Sequence, residues 1–291
     1  MSAARTPDRH GAGVIPVRPD GAILLLLRDN RPDLAAANLW STLGGRLERG
    51  ETPEQAAWRE LEEESGLRPA RLFPAGHVDG PSLREPQIQL RQHIFAASVT
   101  WTLDDVILAE GQGVDWFTPE AARCLPIAPP IRPAIVNLLG SALYQSLRDP
   151  AWRLPPNISA PLSAESARTL GAGPGRLIAA FGATAGFVRR VWDRLDGARI
   201  TTSLGPSERP DSILWFPRTE AAAPTLAALS ALLAPAGVLW VLLPGSAAPL
   251  APLGAEELRR LARGLGLVEH AAVAVAGGHQ GVGFRVAPRH I

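Results

Sequence analysis

Between Gly45 and Leu67 the chain reads GRLERGETPEQAAWRELEEESGL, in which glycines, carboxylates and one arginine fall at fixed offsets: G-x5-E-x7-R-E-apolar-x-E-E-x-G-apolar. The flanking residues define a helix. Thr52 followed by Gln55 has capping-box spacing, and Pro53 suits the first helical position, where its missing N–H is no loss. Gly66 suits a left-handed C-terminal cap. The spacing therefore predicts a helix over Pro53 to Ser65. On it Glu60, Glu63 and Glu64 stand at i, i+3 and i+4 and share one face. Three carboxylates so placed repel each other. A hard divalent cation relieves that repulsion, and oxygen ligands with room for water and phosphate suit magnesium or manganese. Arg59 and Glu51 flank the cluster, while Ala56, Ala57, Leu61 and Leu67 can pack inward. Gly44 and Gly45 predict a tight turn at the helix entrance, where main-chain carbonyls could add metal ligands. A solvated acidic face would explain a Glu-rich run alone. It requires neither the loop glycines, nor the isolated Glu51, nor an interposed Arg59.

This segment resembles the signature of the Nudix hydrolases, and Gly50-Glu51-Thr52-Pro53-Glu54-Gln55-Ala56 is close to the wording in MutT-type members. The resemblance covers residues 10 to 147. It implies an α/β/α sandwich with a mixed sheet, and hydrolysis of a nucleoside diphosphate linked to a further group. The default substrate is a nucleoside triphosphate, giving nucleoside monophosphate and pyrophosphate. It implies Mg2+ or Mn2+ held by Glu60, Glu63 and Glu64, with Gly44 adding a main-chain ligand, and Arg59 and Glu51 orienting the set through salt bridges. A second matching feature is Ala109-Glu110-Gly111-Gln112-Gly113. MutT-type enzymes place a Glu-Gly-Gln there, which makes Glu110 a fourth carboxylate; a polar loop residue is the other reading. The implied chemistry is attack of water on a pyrophosphate phosphorus, with Glu63 or Glu64, and next Glu110, taking the proton.

Arg28, ending the apolar run Ile23 to Leu27, matches a position that contacts substrate phosphate in relatives; an exposed strand-end arginine is the alternative. Trp40 could stack on a base, although tryptophan at a strand edge is more often core. Ile131 stands where the oxidised-guanine enzymes use an asparagine, so specificity for an oxidised purine does not carry over. The motifs of NADH-cleaving and coenzyme A members are not seen. A nucleotide-ligand sensor built on the same fold, with little turnover, is the second reading, but a pure sensor has no reason to keep every catalytic carboxylate.

The first half otherwise reads as strands Gly13 to Val17 and Ala22 to Arg28 joined at Asp20-Gly21. Further strands are expected at Leu72 to Val78, Gln87 to Val99 and Val114 to Phe117, with a short helix from Thr118 and a closing helix from Pro133 to Leu147. A length of 291 residues favours two domains: residues 1–147, a proline-rich linker over 148–163, and residues 164–291. The last alternates strand-like and helix-like segments from Arg176 onward, which predicts a Rossmann-like parallel sheet covered on both sides. It distantly resembles bacterial methyltransferase-like domains of unknown function, through Leu233 to Val241 and Gly266 to Val268. Gly182-Ala183-Thr184-Ala185-Gly186 lacks the spacing of a dinucleotide loop, which favours a binding or dimerisation module, and a homodimer is open. His270 and His279 give no metal spacing.

The formal net charge of +1 gives no mark of a nucleic-acid or membrane-surface binder. All the basic side chains apart from histidine are arginine. The single cysteine, Cys124, excludes an internal disulfide, and the polar first ten residues lack an apolar leader core. The sequence therefore reads as cytoplasmic, with a nucleotide as its partner and no membrane.

Overall fold

Apolar runs in the first half become one mixed sheet. The computed structural model describes residues 7–154, 162–217, 221–243, 253–275 and 279–287. By contacts the chain divides into Met1–Pro156 and Asn157–Ile291. In the first unit β1 (Arg9–Val17) and β2 (Ile23–Leu27) pair antiparallel through Val17 and Ile23. Asp20 in the intervening turn accepts from the Ala22 N–H at 3.1 Å and from the Arg18 guanidinium, and Gly21 takes φ 93°. Then follow β3 (Trp40–Ser41), β4 (Leu43–Arg46), α1 (Pro53–Ser65), β5 (Phe73–Pro81), β6 (Gln89–Ser98) and β7 (Gly113–Phe117). The unit's last elements are α2 (Pro119–Cys124), α3 (Arg132–Leu139) and α4 (Ala142–Ser146).

The strand order is β3-β2-β1-β6-β5, with β4 pairing to β1 and β7 to β2. β1 and β6 run parallel; the other pairs are antiparallel. Because side chains alternate across a strand, Ile15 and Val17 of β1 and Ile94 and Ala96 of β6 share a face and join Ile131, Ile135 and Leu138 in one core. Ala12 and Val14 take the other face, against which α1 buries Ala56, Ala57 and Leu61. Burying a leucine such as Leu61 contributes roughly 1.5–3 kcal/mol, so this face anchors α1 firmly.

Two expectations need correction. Gly44 and Gly45 do not form a turn: they lie in β4, opposite Gly13 and Ala12 of β1. A Cβ on Gly44, whose φ is 143°, would come within 2.2 Å of the Ala12 carbonyl oxygen, so glycine is what allows this strand approach. The closing helix over Pro133 to Leu147 is two helices. Ser141 breaks it, donating its hydroxyl to the Leu138 carbonyl at 2.7 Å and capping the Tyr144 N–H at 3.1 Å. The break lets the Tyr144 hydroxyl reach the Gly21 carbonyl at 2.7 Å.

Of the expected linker, residues 155–161 lie outside the described residues. Before them Trp152 stacks on the Arg18 guanidinium, and after them Leu162 is buried. The second unit contains α5 (Ala164–Thr169), β8 (Leu177–Phe181), α6 (Ala185–Trp192), β9 (Arg199–Thr201) and β10 (Ser212–Trp215). It continues with α7 (Ala222–Leu232), β11 (Val238–Leu243), α8 (Ala255–Gly264), β12 (Leu267–Val275) and β13 (His279–Val286). The sheet order is β12-β13-β11-β10-β8-β9. β9, β8, β10 and β11 are parallel, whereas β13 is antiparallel to both its neighbours, so the sheet is mixed rather than wholly parallel. Too few residues separate Val275 from His279 for a crossover helix, which leaves an antiparallel return as the available geometry. Among the described residues no helix is long and apolar enough to cross a membrane.

Candidate active site

The capping chemistry of α1 sets the site's starting geometry. Gln55 N–H donates to the Thr52 hydroxyl at 3.3 Å, Thr52 N–H donates to Gln55 Oε1 at 2.9 Å, and Gly66 closes the helix at φ 68°. With both ends fixed, the acidic face is fixed in rotation. Arg59 forms a fork with Glu51, Nε to Oε1 at 2.8 Å and Nη2 to Oε2 at 2.9 Å. Its Nη1 reaches Glu60 at 2.8 Å and Glu63 at 3.3 Å, and Nη2 donates to the Arg46 carbonyl at 3.2 Å. One guanidinium thus ties the loop before the helix to two carboxylates on it. The Arg59 hydrogen bonds hold the Glu51 carboxyl down to about 2, with the Glu48 N–H also contributing.

Glu60 lies against Gly45, where an added Cβ would meet its carboxylate oxygens at 2.5–2.6 Å. Only a glycine leaves that cradle open. Burial raises the Glu60 carboxyl above its ordinary range against the pull of Arg59, and the charges of Glu63 and Glu110 push the same way. Glu64 is 4% exposed and accepts the Gly44 N–H at 2.7 Å. Burial, then Glu110, and further Glu60, hold its pKa well above that of a free carboxyl. Glu63 is exposed, and Glu110 is exposed in the turn before β7. The structure therefore brings Glu60 within electrostatic reach of Glu63, Glu64 and Glu110, and Glu64 within reach of Glu110.

Among the described residues no three acidic, imidazole or thiol groups stand gathered as a ready metal cage. Arg59 occupies the space between Glu60 and Glu63. The donor chemistry still fits a hard cation: the groups are all carboxylates, one is buried with its charge opposed, and a glycine cradle holds another.

A cavity of about 320 Å³ opens beside Gly44 and Gly45, with Arg28, Arg46, Gln92 and Ile131 in its wall. Arg28 donates its Nε to the Ala35 carbonyl at 3.1 Å. Trp40 does not line this cavity; it packs edge-to-face on Phe117, ring centroids 4.6 Å apart, at the margin of the core. Sequence reasoning missed Gln112. That side chain is buried and donates to the Arg28 carbonyl at 2.8 Å and to Asn38 Oδ1 at 3.0 Å, anchoring the loop that carries Arg28. Its signal was the motif Glu110-Gly111-Gln112, in which attention fell on the carboxylate alone.

The NUDIX domain profile matches residues 7–138. An RNA pyrophosphohydrolase of Rhodospirillum rubrum is 39% identical over 25% of this chain and 41% of its own length. A putative 8-oxo-dGTP diphosphatase of Bacillus subtilis is 34% identical over 38% of this chain and 66% of its own. The CTP pyrophosphohydrolase of Escherichia coli is 33% identical over 39% of this chain and 78% of its own. The chain thus spans less than half of the first relative and about two thirds of the second. With a signature helix capped at both ends, its acidic face locked by one arginine, and most of a pyrophosphohydrolase matched in sequence, the chain belongs to the Nudix hydrolases.

Proposed function

We propose that the N-terminal unit is a metal-dependent pyrophosphohydrolase acting on a nucleoside diphosphate linked to a further group, by default a nucleoside triphosphate. What supports this reading is the reach of Glu60 to Glu63, Glu64 and Glu110, next to Gly45, which also lines a cavity whose wall holds Arg28 and Arg46. Magnesium, when bound, supplies charge neutralisation on the phosphates and a lower pKa for the attacking water. Glu60, Glu63, Glu64 and Glu110 are the residues that would hold it, with the Gly44 main chain as a further donor. Arg59 and Glu51 position Glu60 and Glu63, and Glu63 or Glu64 accepts the proton of the attacking water. Arg28 and Arg46 bind phosphate oxygens at the cavity. The relatives named for RNA, 8-oxo-dGTP and CTP are pyrophosphohydrolases and a putative diphosphatase, which supports the pyrophosphate chemistry and leaves the attached group open.

The C-terminal unit reads as a Rossmann-like binding module that modulates substrate choice or assembly. Its four neighbouring parallel strands support that reading, as does the strand-to-helix turn at Gly182 to Thr184.

The full chain with magnesium and a panel of nucleoside triphosphates tests the enzyme reading. Pyrophosphate release is expected, reduced about 100-fold or more in Glu63→Gln and Glu64→Gln. Tight nucleotide binding with no release from the unaltered chain would replace it with the sensor reading.

A further inference from the structure

The cavity beside the carboxylates has one side-chain amide in its wall, that of Gln92. Gln92 stands on β6 directly across from Gly11 of β1, in parallel register, with Ile94 across from Gly13. Neither glycine projects a side chain, and the amide fills the vacated space. A Cβ on Gly11 would lie 2.1 Å from Gln92 Oε1, and one on Gly13 would lie 3.3 Å from Nε2. The amide is half-buried, and among the described residues it makes no hydrogen bond. A side-chain amide in a cavity wall with no partner in the protein is free to bond a ligand there.

The other walls say what that partner is. Leu83, Leu90, Ala35, Ala36, Pro130 and Ile131 give the cavity apolar sides. Arg46, across from Gly11 on β4, is on the same sheet face as Gln92, and with Arg28 it puts two cations in the cavity wall. A ligand lying between Gln92 and the Arg28 and Arg46 guanidiniums therefore meets an amide and apolar walls at one end and cations at the other, as a nucleotide requires. About 320 Å³ lies within the range of small-ligand sites, roughly 300–1,000 Å³, and accommodates one nucleoside. Ile131 is part of the apolar wall, and its side chain offers no hydrogen bond. The amide function sits across the cavity on the strand instead.

We propose that Gln92 is the specificity-determining residue for the nucleobase. Its carbonyl accepts one base N–H and its NH2 donates to the adjacent base acceptor; every base carries such a pair, at a different place on its ring edge, so the fixed position of the amide ranks the bases. This rests on the nucleotide reading of the site above.

The test measures hydrolysis by the full chain with magnesium for ATP, GTP, CTP and UTP, alongside calorimetric affinities for their non-hydrolysable α,β-methylene analogues. The unaltered chain is expected to prefer some bases over others. Gln92→Leu should raise KM for the preferred nucleotide about tenfold or more, as loss of one to two hydrogen bonds implies, with kcat changed far less, and should flatten the ranking. Gln92→Glu presents two acceptors, so it should shift the ranking toward guanine, whose N1–H and N2–H are adjacent donors. That switch is one a merely structural side chain would not produce. Hydrolysis with the same base ranking in all three proteins overturns the role of Gln92 and leaves the pyrophosphohydrolase reading intact. Absence of hydrolysis together with base-dependent analogue binding that Gln92→Leu abolishes overturns the catalytic reading and leaves Gln92 as the base reader. Analogue affinities that do not respond to either substitution overturn the proposal whatever the turnover.

Discussion

At the residue scale, Glu64 shows chemistry set against stability. It is buried, accepts a single backbone N–H, and stands within reach of Glu110 and Glu60, so its ionised form is disfavoured in the folded chain. The folded pKa is raised above the unfolded one. Stability contributed by the protonated form is therefore complete below the unfolded value and is lost as pH rises through the folded one. The Glu64→Gln variant keeps the acceptor for Gly44 and removes the charge. It should unfold at higher temperature at neutral pH, by about 1–3 kcal/mol, while hydrolysis falls. Magnesium should raise the melting temperature of the unaltered protein more than that of the variant, and equal shifts would show that Glu64 does not answer to the cation. Arg59 acts differently, because its fork with Glu51 also fixes Glu60. Arg59→Lys cannot hold both oxygens of Glu51 and Glu60 at once, so a loss of roughly 10- to 100-fold in kcat/KM is expected, measured by pyrophosphate release.

At the element scale, α1 was legible because its caps, its apolar side and its acidic face all lie within one short stretch of sequence. Its expected bounds are the observed ones. β4 was not legible: Leu43–Arg46 carries two glycines, which read locally as a turn, and only the long-range pairing with β1 makes them a strand. The same limit hid β9, a three-residue strand, and the approach of Gln92 on β6 to Gly11 and Gly13. Pairing also gathers three histidines that lie far apart in sequence. His10 on β1 and His93 on β6 approach at 3.0 Å between ring nitrogens, and His77 on β5 is directly across from His93. Burial first, then His10, His77 and Arg91, depress the His93 pKa below 6.5, with Asp79 opposing. A depressed imidazole means the unfolded chain binds the extra proton more readily, so stability is lost as pH falls through 6.5 toward the folded value. Denaturant melts of the unaltered chain should show this loss, and His93→Gln should flatten it; an unchanged slope would place the pH dependence elsewhere.

At the scale of the whole molecule, the length of the chain predicts a hydrophobic core in each half. The pleated core of the first unit is built on Ile15, Ile94 and Ile135, and that of the second on Ile213, Leu239 and Phe284. The antiparallel placement of β13 escaped the sequence, because a strand's direction depends on how far the chain travels before pairing. Each core belongs to one unit of the chain, and Glu60, Glu63, Glu64, Glu110 and the cavity beside Gly44 belong to the first. A ligand that binds one folded unit stabilises that unit by mass action, by about 2.7 kcal/mol at 100 times its dissociation constant. Calorimetry of the full chain should therefore resolve two unfolding transitions, of which magnesium with an α,β-methylene nucleotide raises one. Assigning the shifted transition with the Glu64→Gln variant, which should move that same transition and not the other, identifies it as the N-terminal unit. A single transition that moves as a whole would mean that the two cores melt as one cooperative body.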